Sequence, residues 1–145
     1  MIRRDALLNS GAVLLAAASS AALSQEHDHS KMGHGGANQT LIAAAADCVV
    51  KGQACLAHCL VLLAEGDKSM GGCAKMVNQM LAVCGALQNL ASQQSTLVPA
   101  LAKVALDACQ HCEQECHKHE GKHAECRACM ESCQNCAKQC KAFAA

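Results

Sequence analysis

Apolar and polar residues follow one another along most of this chain at the three-and-four spacing of a helix that turns one face inward. The clearest stretch is CRACMESCQNCAKQC, Cys126 to Cys140, where five cysteines recur at intervals of three, four, three and four while Glu, Gln, Asn and Lys take the positions between. That interval is the seam of a packed helix, normally written in Leu, Ile and Val. At ~1.5 Å per residue the run climbs roughly 21 Å along one face. Three other stretches repeat it in part. One places Cys48, Cys55 and Cys59 on a seam; a second places Cys73, Met76, Met80 and Cys84; a third places Cys109, Cys112 and Cys116.

The breaks between these stretches delimit four helices. The first runs from a cap at Asn38 or Thr40 to a stop at Gly66, and the second follows the turn from Asp67 to Gly71. The third opens at Ser95 or Thr96, with Pro99 in its first turn where a missing N–H costs little, and continues to about His119. Gly121 then interrupts the chain, and the fourth helix runs from about His123 to Ala142. Four helices joined by short turns predict an all-α fold, an antiparallel up-down four-helix bundle over residues 38–145 with a cysteine-lined core. In that topology the turns near Asp67 and Gly121 share one end. Cys59, Cys73, Cys116 and Cys126 are expected roughly level there, with His58, Met70, His111, His117, His119 and His123 nearby. Val98, Ala102 and Ala105 give the other end an ordinary hydrocarbon core.

Ahead of the bundle, residues 1–24 carry Arg3 and Arg4, an apolar run from Ala12 to Leu23 and a small-residue site near Ala22 to Ser24. This reads as an export signal of twin-arginine type, placing the mature protein in the periplasm or with internal membrane compartments. The run is shorter than the ~20 residues of a membrane span, and the mature chain is expected to hold no span. Residues 25–37, with His27, His29, Met32 and His34, have no apolar period and read as a flexible His/Met/Gly linker.

Composition sharpens the question the cysteines raise. Among 145 residues there are 13 cysteines, one phenylalanine and no tyrosine or tryptophan, so sulfur stands where bulky core fillers usually do. The formal net charge is zero, which gives no basic surface for a nucleic acid. A few buried cysteines could be small hydrophobes, but 13 aligned on four seams exceed that need. Disulfides suit an exported protein, yet the number is odd, and pairs three or four apart on one helix lie side by side. Cross-helix bridges stay open. The C-x3-C-x2-C at Cys129, Cys133 and Cys136 resembles an iron–sulfur spacing, but a catalytic barrel needs far more chain. The C-x-x-C pairs lack the histidine that covalent haem requires. No acid–base constellation accompanies the thiols, so no enzyme activity is expected.

Metal binding accounts best for the pattern. Thiolate and thioether donors select Cu(I), zinc or iron–sulfur clusters. Three zinc ions with four thiolates each would leave roughly six negative charges buried, whereas Cu(I) at one ion per thiolate leaves the core neutral. The pairs Cys55/Cys59, Cys112/Cys116, Cys129/Cys133 and Cys136/Cys140 would each chelate one ion between two sulfurs. A zinc or cadmium thiolate buffer and a disulfide-stapled helical protein remain the alternatives.

The export signal, the His/Met linker, CLAHC at Cys55 to Cys59, SMGGC at Ser69 to Cys73, CGALQNLA from Cys84 and AECRACMESCQNCAKQC at the end together resemble the exported copper storage proteins of methane-oxidising bacteria. The resemblance covers nearly all of the mature chain. It implies a four-helix bundle holding multiple Cu(I) ions along its core through Cys48, Cys55, Cys59, Cys73, Cys84, Cys109, Cys112, Cys116, Cys126, Cys129, Cys133, Cys136 and Cys140. It also implies a homotetramer, and a copper chaperone or a cuproenzyme such as particulate methane monooxygenase as the recipient. His58 and Met70 match residues at the mouth where copper would come in. Leu62 and Glu65 stand where methionines can occur in that family, so a methionine-rich mouth is only partly present.

Overall fold

The structure, a computed structural model, describes residues 35–144, so the leader and the segment with His27, His29, Met32 and His34 lie outside the described residues. The described chain forms α1 (Gly35–Ala64), a 3-10 turn (Lys68–Met70), α2 (Gly71–Ser92), α3 (Val98–His117) and α4 (Ala124–Phe143). Each helix packs on two neighbours, α1 on α2 and α4, and α3 on α2 and α4, so α1 lies diagonal to α3 and α2 to α4. This is the expected antiparallel bundle.

Local chemistry explains the ends. Gly66 adopts φ of 97°, which a side chain would strain, and the amide of Asp67 returns to the Leu62 carbonyl at 2.9 Å to close α1. Asp67 then caps the 3-10 turn by accepting from the Ser69 amide at 3.0 Å and the Ser69 hydroxyl at 2.6 Å. Pro99 sits in the first turn of α3 as expected.

The core is a stack of levels. Cys48, Cys84, Cys109 and Cys136, one from each helix, have their sulfurs within 4.8 Å of one another. A step of three or four residues along every helix toward the Asp67 turn reaches Gly52, Met80, Cys112 and Cys133. The next step reaches Cys55, Val77, Cys116 and Cys129, and the last reaches Cys59, Cys73 and Cys126. In the other direction come Ala45, Leu87, Ala105 and Cys140, then Leu41, Ala91 and Ala102. Every one of these residues is buried. The larger apolar side chains, such as Leu41 and Leu87, each contribute roughly 1.5–3 kcal/mol of transfer free energy. Their concentration at the hydrocarbon end anchors the fold independently of the sulfur.

Four expectations need correction. Helix α1 begins at Gly35, so three residues read as linker are helical and the start is not at Asn38 or Thr40. Helix α3 is preceded by Leu97 with no side-chain cap; the Ser95 hydroxyl instead accepts from the Leu97 amide at 3.2 Å. On α2 the seam passes through Val77 rather than Met76, because the inward step from Cys73 is four residues and not three. Met76 is only partly buried. Cys116 meets Cys73 at 3.6 Å as expected, but it groups with Cys55 and Cys129 rather than with Cys59 and Cys126.

The stretch Asn38–Ala64 of α1 contains an 18-residue window with a mean hydropathy of 1.5, long and apolar enough by composition to cross a membrane. Its inward face carries Cys48, Cys55 and Cys59, and it packs against α2 and α4 as a bundle member. Its outward face exposes Val50 (61%), Leu60 (54%) and Val61 (56%).

Candidate metal centre

All 13 cysteines are free and fully buried. Helical periodicity places each on the inward stripe, and close packing brings the stripes together. Sulfurs meet across helices at 3.6 Å for Cys84 and Cys109, 3.6 Å for Cys73 and Cys116, 3.8 Å for Cys112 and Cys129, 3.8 Å for Cys55 and Cys126, and 3.9 Å for Cys55 and Cys73. Along single helices, Cys112 and Cys116 are 3.9 Å apart and Cys136 and Cys140 are 4.0 Å apart. Four groups gather within ligating reach: Cys48/Cys84/Cys109/Cys136, Cys55/Cys59/Cys73/Cys126, Cys55/Cys116/Cys129 and Cys112/Cys129/Cys133. The shared members, Cys55 and Cys129, link the groups toward the mouth into one continuous line.

Metal–thiolate bonds of ~2.3 Å put two sulfurs about 4.6 Å apart when the ion is in line and about 4.0 Å apart when it is trigonal. The observed spacings lie at or slightly below that range. Small rotamer changes therefore open any of these contacts to receive a low-coordinate ion.

At the mouth, His58 on α1 and His123 at the start of α4 join through their ring nitrogens at 2.9 Å. Glu125 Oε2 stands 3.8 Å from His58 Nε2, and the His119 ring lies 6.4 Å from that of His123, centre to centre. Met70 is fully buried at the same end. His117 pairs outward with Glu120 at 2.8 Å. His111 is exposed in a surface groove with Met76, Gln79, Gln114 and Glu115, so it is not part of the mouth. The seam pattern could not reveal the His58–His123 contact, which depends on the meeting of two distant segments.

Burial pushes the Cys59 thiol up to about 12. Crowded neighbours act similarly deeper in. Cys109 raises Cys84, Cys112 raises Cys116, and Cys109 raises Cys133, each well above the ordinary thiol range. Cys48 and Cys129 move the opposite way because several S–H groups can donate to them, led by Cys109 and Cys112 respectively. A single thiolate inside such a group is stabilised by its neighbours, and a second is opposed by the first and by burial.

A profile of the copper storage protein family matches residues 35–145. The chain belongs to the copper storage protein family. Solved structures agree. The chain is 28% identical to the apo copper storage protein 3 of Bacillus subtilis, with TM-score 0.65 over 74% of this chain and 99% of that one. It is 26% identical to a Cu(I)-bound copper storage protein, with TM-score 0.66 over 75% of this chain and 99% of that one. A cytosolic copper storage protein of Streptomyces lividans, solved with five coppers, shares the fold at 24% identity and TM-score 0.67, over 74% of this chain and 92% of that one. A comparison with curated protein sequences gave no significant match.

The donor set fits the cargo of this copper storage family. The interior offers soft sulfur, and the only buried polar or charged side chain among the described residues is Ser132, which donates to the Cys129 carbonyl at 2.8 Å. No lysine or arginine is buried there to balance the surplus charge of a four-thiolate zinc site.

Proposed function

We propose that this chain stores multiple Cu(I) ions along its core, held by its cysteine thiolates at roughly one ion per thiol. The observation that carries this reading is the line of 13 buried thiols with no buried cation among the described residues. Each Cu(I) displaces one thiol proton on binding, so a loaded core stays neutral and loading releases acid. The reading is of a store and buffer rather than a catalyst. Anaerobic titration of the reduced protein with Cu(I) against a chromogenic Cu(I) chelator tests it. Uptake approaching the thiol count supports storage, and uptake of one or two ions overturns it.

The finer parts of this reading rest on the sequence. Arg3 and Arg4 support export in a folded state, tested by fractionating cells that carry the chain with Lys at both positions. The exposed apolar face of α1 at Val50, Leu60 and Val61 supports assembly into a homotetramer, tested by sedimentation. A cuproenzyme such as particulate methane monooxygenase, reached directly or through a copper chaperone, is the recipient in this reading. The group Cys48/Cys84/Cys109/Cys136 also favours a second reading, since four sulfurs from four helices are what tetrahedral zinc requires. Competition between Zn(II) and Cu(I) for that group separates the two.

A further inference from the structure

Between Cys73 and Cys84 the inward face of α2 carries no thiol, a gap of eleven residues or roughly 16 Å of helix. The core levels show what fills it. One step above Cys48/Cys84/Cys109/Cys136, α3 and α4 supply Cys112 and Cys133, α1 supplies Gly52, and α2 supplies Met80. Met80 is fully buried. Its methyl group occupies the space left by the glycine, since a Cβ on Gly52 would stand 2.6 Å from Met80 Cε. The sulfur is one bond behind that methyl, and by helical register Cys112 and Cys133 take the corresponding step on α3 and α4.

Apart from Val77, the large buried side chains follow the chemistry of their levels. The fully buried leucines, Leu41 and Leu87, lie at the hydrocarbon end; the fully buried methionines, Met70 and Met80, lie where the surrounding seam is cysteine. Leucine would fill the Met80 position about as well by volume. Methionine adds a soft donor with no proton to displace and no charge to bury.

Resting on the storage reading above, we infer that the Met80 thioether is a Cu(I) ligand in the middle of the core, sharing an ion with Cys112 and Cys133. It shortens the sulfur-free part of the α2 seam to the single position at Val77. An ion moving from the mouth group at Cys73 toward the deep group at Cys84 passes a neutral donor one step short of it. With one of the two cysteines as thiolate and the other kept as a thiol, the thioether completes a Cu(I) site of no net charge that holds its ion more loosely than two thiolates would, which suits a site that hands ions on.

Selenomethionine-labelled full chain, loaded stepwise with Cu(I) under anaerobic conditions, tests this by X-ray absorption at the selenium edge. The expected result is a copper neighbour at bonding distance from selenium that is reduced in the Met80→Leu variant and kept in Met76→Leu. In parallel, the 13C-methyl resonance of Met80 in unsubstituted protein should shift during loading, whatever the variant's stability. Full copper uptake with no selenium–copper distance, or with the same signal in Met80→Leu, overturns this inference and leaves storage standing. Uptake of only one or two ions overturns the storage reading itself.

Discussion

The ring nitrogens of His58 and His123 lie 2.9 Å apart and tie α1 to the start of α4 across the end of the bundle where Met70 and Cys59 are buried. Both side chains are only partly buried, so their ring nitrogens are accessible at that end. Neutral imidazole accepts Cu(I) without releasing a proton, unlike the thiols beneath. His58→Ala is expected to slow loading several-fold when copper is supplied by a competing chelator, and to leave final capacity unchanged. Stopped-flow loading with an end-point copper count checks both halves; lost capacity would place His58 inside the store.

Deeper in, Cys84 and Cys109 meet at 3.6 Å within the group that draws one cysteine from every helix. Cys109→Ser keeps the shape but sets a hydroxyl in an apolar, sulfur-lined interior, at a cost of about 1–3 kcal/mol to the apo protein. Copper capacity should fall, with helix content retained. Urea unfolding of the apo form and Cu(I) titration measure the two effects separately.

The stability of the apo bundle should fall in alkali. The Cys59 thiol is held up to about 12 by burial, so it keeps its proton in the fold after the unfolded chain has lost it near 9. In that interval the fold binds more protons than the unfolded chain, and stability decreases with rising pH. Above about pH 9 the lowered thiols hold no proton in either state, so the raised ones, such as Cys59, decide the sign. The Cys59 contribution is complete below about pH 8.5 and is lost as pH rises through about 12. Thermal unfolding of reduced, metal-free protein from pH 7 to 11 should show Tm falling above pH 9. Copper-loaded protein, its thiol protons already displaced, should show a much flatter profile.

Gly52 is required by its neighbours rather than by its own backbone. A methyl there meets Met80 Cε at 2.6 Å and Leu81 Cδ2 at 2.9 Å, both at the far ends of flexible side chains. Gly52→Ala is therefore expected to destabilise the apo protein by about 1–3 kcal/mol through overpacking, despite the better helix propensity of alanine. Calorimetric unfolding checks the sign. A stabilised variant would mean that Met80 moves aside at no cost.

The cysteine seams on α1, α3 and α4 were legible because inward placement depends on helical period, a local property that a stripe such as Cys126 to Cys140 displays directly. The stop at Gly66 and the place of Pro99 were legible for the same reason, since each reflects the conformational limits of one residue. The α2 seam was less so. Met76 and Val77 are adjacent apolar residues, either of which continues a stripe from Cys73, and only packing against α1 and α3 selects Val77. The seven-residue gap between Cys48 and Cys55 hid a seam position, because glycine does not register as apolar until a side chain from another helix fills its place.

By itself, then, the chain determined its four helices, the inward line of thirteen thiols and the soft-metal chemistry those thiols support, all of which follow from residue type and spacing along one helix. Tertiary structure decided which thiols share a level, that Cys116 groups with Cys55 and Cys129, that Met80 faces Gly52, and that His58 reaches His123. These depend on how far each helix is shifted along its neighbours. That shift is set by the packing of side chains distant in sequence, which no spacing within a single helix encodes.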